Sequence, residues 1–140
     1  MNAIGFIFVA AFAAGAYSIF QRIAAPGIHQ AFGALLIALI AAILSFAVLL
    51  LTRGGRPLYA EQSVFLYIAL IGAAAFAVDY FSLQAYSRGL SISVGGPIFI
   101  GVGIATASLA GFVMGESVTI AKLTGILLVV IGAIVLSMFA

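Results

Sequence analysis

Five apolar runs, each about twenty residues long, follow one another along the chain: about 3 to 24, 31 to 51, 62 to 87, 92 to 114 and 118 to 139. A helix rising about 1.5 Å per residue needs about 20 residues to cross a hydrocarbon core of about 30 Å. Lipid offers backbone groups no hydrogen bonds, so an apolar run of that length must satisfy its own N–H and C=O groups, as a helix does. These runs predict an all-α integral membrane protein with five transmembrane helices, forming one domain over residues 1–140.

The breaks between the runs carry the expected punctuation. Pro26 and Gly27 end the first helix, and His29 and Gln30 begin the next. Thr52 to Pro57, with two arginines and two glycines, reads as a solvated loop; Ser87-Arg88-Gly89 reads as a charge followed by a helix stop. At Gly115-Glu116-Ser117, Ser117 is expected to cap the last helix, with Glu116 near its positive N-terminal end. No Lys or Arg precedes Arg22, so the first run lacks the charged start of a secretory signal and is expected to be a permanent helix.

Only 6% of the residues are charged, against roughly a quarter in a soluble domain. All of these except Asp79 lie at or near breaks in the apolar runs. A net charge of +2 spread over membrane edges forms no basic patch, so no nucleic-acid partner is expected. Five spans put the two ends of the chain on opposite sides. The N-terminal side then holds Arg53, Arg56 and Lys122, and the other side Arg22 and Arg88. Since Lys and Arg in short loops set orientation, this near-tie leaves two readings. Either the chain inserts one way, with Arg53 and Arg56 cytoplasmic, or it inserts both ways and pairs head to tail.

Helices approach closely in lipid where small residues recur every four positions. In the fourth run Gly103, Ala107, Gly111 and Gly115 make such a ridge, and they are the expected packing residues. Pro97, early in that run, either starts the helix or bends it by leaving a carbonyl unbonded.

The third run is the polar one. At 100° per residue, Gly72, Ala75, Asp79, Ser82 and Tyr86 fall within about 60° of one another. An aspartate at a helix centre costs about 2.5 to 3.5 kcal/mol on insertion scales, so this face is expected to point into the protein. In the first run Ala10, Ala13, Ala14, Tyr17 and Gln21 offer a counterpart, and Tyr17, Ser18 and Gln21 are candidates for the same cavity as Asp79. Interfacial anchoring and hydrogen bonding between helices are the other reading of these three, and structural satisfaction by a neighbour is the other reading of Asp79.

Catalytic chemistry is not visible. One histidine, His29, and the carboxylates Glu61, Asp79 and Glu116 assemble no triad, metal cage or paired-carboxylate site, and cysteine is absent. No enzyme activity, metal or cofactor is expected.

The ordered features Tyr80-Phe81-Ser82-Leu83-Gln84-Ala85-Tyr86-Ser87-Arg88-Gly89, Gly96-Pro97, Met114-Gly115-Glu116 and Leu123-Thr124-Gly125 through Gly132 resemble the EamA repeat of the drug/metabolite transporter superfamily. The resemblance covers essentially the whole chain, and its most specific part is the Gly-Glu closing the fourth helix with two later glycines seven positions apart. The family's frequent Trp-Gly pair in helix 1 and arginine early in helix 2 have no counterpart. The resemblance implies transport of small metabolites, amino acids or drugs. Most members carry two inverted repeats in one chain, so a single repeat implies a ten-helix antiparallel homodimer.

The resulting expectation is a multi-pass protein of the cell membrane, a bacterial inner membrane, surrounded by lipid. It moves a small organic solute by alternating access, with or without proton coupling. The pathway residues are Asp79, Tyr80, Ser82, Tyr86, Tyr17 and Gln21, and the packing residues are Gly103, Ala107, Gly111, Gly115 and Pro97. The reading from a different class is a non-transporting scaffold or accessory subunit that pairs with another repeat protein.

Overall fold

The computed structural model describes residues 3–52 and 62–138. Arg53, Arg56 and Glu61, with the expected loop after the second run, lie outside the described residues. The described chain forms α1 (Ala3–Ala24), a 3-10 turn (Ala25–Gly27), α2 (Gln30–Thr52), α3 (Gln62–Ser87), α4 (Ile92–Val113) and α5 (Ile120–Ser137). All five α-helices are long and apolar enough to cross a membrane. Large apolar side chains stand exposed along each of them, Phe12, Leu51, Phe65, Leu109 and Leu128 among them, as a lipid solvent permits.

The helices fall into two compact units, Met1–Arg22 with Arg88–Ala140, and Ile23–Ser87. In the second unit α2 packs on α3, and the 3-10 turn also contacts α3. Ala25, Gly33 and Ala34 are buried there. These small residues let the backbones close on Leu83, whose side chain is fully buried. A hydrogen bond from Gln30 Nε2 to Ser87 Oγ, 3.1 Å, joins the start of α2 to the end of α3. Ser87 Oγ in turn donates to the Gln84 carbonyl at 2.9 Å.

In the other unit α4 packs on α5. The tight point is Gly101, where a Cβ would fall 2.8 Å from Ala133 Cβ and 3.5 Å from Val129 Cγ1. Among the described residues nothing lies within 4 Å of a Cβ built at Gly103, and Ala107 is exposed. The close approach to α5 is therefore made at Gly101, about 200° round the helix from Gly103.

Gly111 and Gly115 have other uses. Gly115 has φ +92°, and Glu116 N–H bonds the Gly111 carbonyl while Gly115 N–H bonds that of Phe112. This is the paired closure that a left-handed glycine gives a helix end. Glu116 then folds back with its carboxyl carbon 3.0 Å from where a Gly111 Cβ would stand, so Gly111 leaves room for that carboxylate.

One helix start differs from the sequence reading, and another is decided between its two alternatives. The cap of α5 is Thr119, whose hydroxyl accepts from Lys122 N–H at 3.3 Å, and the helix begins at Ile120. Ser117 lies too early to cap a helix that starts there, and its carbonyl instead accepts from Lys122 Nζ at 3.0 Å. Pro97 lies in the second turn of α4, not its first. It has no N–H to return to the Ser93 carbonyl, one turn back.

Candidate functional site

The buried polar side chains of the described residues are Ser18, Gln21 and Asp79. Asp79 is 7% exposed and lies on α3 beyond a stretch, Gly72 to Phe76, that is exposed throughout. Burial begins at Asp79 and continues at Leu83 and Tyr86, positions i, i+4 and i+7 of one helical stripe. Gly72 and Ala75, expected on the same face, are exposed, so the enclosed part of the face is its last two turns.

Tyr80 and Ser82 flank this stripe and are half-buried. Tyr80 stacks on Phe76 with ring centroids 5.8 Å apart and meets Phe81 edge-on at 5.3 Å. Both geometries are favoured by aromatic quadrupoles and fix the Tyr80 ring on the flank of the Asp79 stripe. Leu83, the most enclosed large side chain among the described residues, sits one turn beyond Asp79. Sequence reasoning missed it, because a leucine among leucines carries no polar signal.

On α1, Gln21 is 5% exposed, Ser18 is buried and Tyr17 is half-buried. Ser18 Oγ donates to the Ala14 carbonyl at 3.1 Å, which satisfies the hydroxyl within its own helix. Gln21, Asp79 and Tyr86 each take part in further interactions in the structure. Among the described residues no fully buried side-chain N or O lacks a hydrogen-bond partner. A buried polar group is tolerable only under that condition.

No group of three or more His, Asp or Glu side chains converges among the described residues in a way that would hold a metal. His29 is exposed at the start of α2. Among the described residues the chemistry available is that of one buried carboxylate, Asp79, on a membrane-length helix that also carries Tyr80, Ser82 and Tyr86. Such a group can hold a proton, a cation or a hydrogen-bonding solute.

No curated protein and no solved structure gives a significant match to the chain. A family model does, over residues 1–138, and it spans both helical units and every residue discussed above. With five membrane-length helices and that match, the chain is a multi-pass membrane protein that belongs to the EamA-like transporter family.

Proposed function

We propose that the protein is a transporter of small organic solutes that works by alternating access as a dimer of inverted subunits. Asp79 carries the reading. A carboxylate enclosed in a membrane-length helix is costly to insert, and a transporter family gives it a use as the binding group for a proton or a cationic solute. Tyr80, Ser82 and Tyr86 on α3, and Tyr17 and Gln21 on α1, are the remaining pathway residues of this proposal. The near-tie of Lys and Arg between the two sides of the membrane supports insertion in both orientations. Two inverted copies of a five-helix repeat would then supply the two halves that alternate access requires.

The test uses vesicles containing the purified protein, an imposed proton gradient and a fixed-charge cationic dye. Wild type should accumulate the dye, and Asp79→Asn, which keeps the shape and removes the titratable charge, should lose gradient-driven accumulation. Unchanged accumulation by Asp79→Asn would remove the carboxylate from the mechanism.

A further inference from the structure

The α4–α5 pair carries an open groove of about 440 Å³ that no step of the transport proposal uses. Ile104 and Phe112 on α4 and Ile126 and Val129 on α5 form its walls, and Gly125 leaves it wide. From Ile104 to Phe112 it extends about 12 Å along the helix axis. At the end where the two helices connect, the lining changes from apolar to charged: Glu116 and Lys122 face each other with Oε2 and Nζ 3.9 Å apart.

We infer that this groove is a binding site for a zwitterionic aminophospholipid, its acyl chain along the apolar walls and its headgroup on Glu116 and Lys122. The charge pattern selects that occupant. The groove runs along two membrane-length helices, and its apolar walls suit an acyl chain. The helix connection lies at the end of both spans, at headgroup depth. Both charges are substantially exposed, 66% for Glu116 and 46% for Lys122, so neither is used up in a sealed ion pair. An ammonium has three donors. The Ser117 carbonyl takes one from Lys122, and Glu116 Oε2 at 3.9 Å is an ion-pair partner beyond hydrogen-bond reach, so two donors are available to a lipid phosphate.

Glu116 is in turn the acceptor for a lipid ammonium that still carries N–H. The trimethylated headgroup of phosphatidylcholine has none and cannot donate to it. The helix end holds the acceptor in place, because the Gly115 turn directs Glu116 back over Gly111. An exposed glutamate on an ordinary loop would have no such constraint.

The experiment measures lipid retained by the purified full chain in native mass spectrometry, after delipidation and incubation with equimolar phosphatidylethanolamine, phosphatidylcholine and phosphatidylglycerol. Wild type should retain phosphatidylethanolamine over phosphatidylcholine by about threefold to fivefold, the scale set by one exposed charge contact. Glu116→Gln and Lys122→Gln should each erase that preference. Gly125→Leu should lower retention of all three lipids; a Cβ at Gly125 meets nothing within 4 Å among the described residues, so this variant fills the groove without disturbing its walls. Helix content by circular dichroism confirms that each variant is folded.

Equal retention of phosphatidylethanolamine and phosphatidylcholine by wild type would overturn the inference. So would a preference that survives Glu116→Gln, or a preference for phosphatidylglycerol that depends on Lys122 alone. Disulfide cross-linking of Gly125→Cys between two copies, with no lipid retained, would assign the groove to a second chain instead.

Discussion

A Cβ built on Gly33 would lie 2.7 Å from Cδ1 of Leu83, so α2 and α3 meet at a point where any added side chain must displace the leucine. Leu83 is 1% exposed and the Ile28 side chain stands 3.3 Å from the same spot, which leaves the leucine nowhere to retreat. Gly33→Val should therefore lower stability by about 1 to 3 kcal/mol, the usual cost of overfilling a packed interior. Unfolding in mixed micelles measures it. Leu83→Ala in the same chain should return part of the loss, whereas strictly additive costs would mean that the two positions do not share the space.

The α4–α5 contact makes a sharper comparison. Gly101→Ala should destabilise by about 1 to 3 kcal/mol, because the new methyl meets another Cβ, that of Ala133, and neither can rotate away. Gly103→Ala should be neutral or stabilising by up to about 1 kcal/mol, since alanine is the better helix former and the position is open. Thermal unfolding of the two variants should rank them in that order; the reverse ranking would place the contact on the Gly103 side.

That comparison also marks how far the sequence could be read. Helix positions were legible because the length of an apolar run is set by the bilayer, and Asp79 stood out because it is the one acid within a run. Which face of α4 meets α5 was not legible. The helix carries glycines at 95, 96, 101, 103 and 111, and small residues at regular spacing occur on more than one face, so spacing alone cannot say which face meets a neighbour. The same holds for Leu83, whose burial depends on what α2 places opposite it. Ser117 and Thr119 are both capping residues by type, and the choice follows from where the Gly115 turn releases the chain.

Gly115 holds φ +92°, a conformation that costs an L-residue about 1 to 2 kcal/mol. Gly115→Ala should lower the unfolding free energy by that amount, and it should also release Glu116 from Gly111. Nuclear magnetic resonance of the Glu116 side chain would detect the release; an unchanged environment would mean that the carboxylate is held without the turn.

Thr119 gives the α5 start its side-chain acceptor. Thr119→Ala should cost about 1 kcal/mol, within the range measured for lost helix caps. Ser117→Ala, which removes a hydroxyl outside the helix and leaves the carbonyl that Lys122 uses, should cost little. Comparable losses for the two would show that the hydroxyl of Ser117 shares the capping role.

The final prediction concerns orientation. Counting five spans along the sequence, the proposal assigns Arg53, Arg56 and Lys122 to the N-terminal side and Arg22 and Arg88 to the other. With three against two, a reporter fused to the C-terminus should signal from both sides of the membrane. Replacing Arg22 and Arg88 by Gln leaves the first side alone with positive loops, which should drive insertion to one orientation with that side cytoplasmic. Replacing Arg53, Arg56 and Lys122 instead should drive the other orientation. If transport needs one copy each way, either biased variant alone should be inactive in cells, and the two expressed together should restore uptake. A single orientation for the unmodified chain, or full activity from one biased variant, would exclude the inverted pair and leave a parallel assembly or a different partner to complete the transporter.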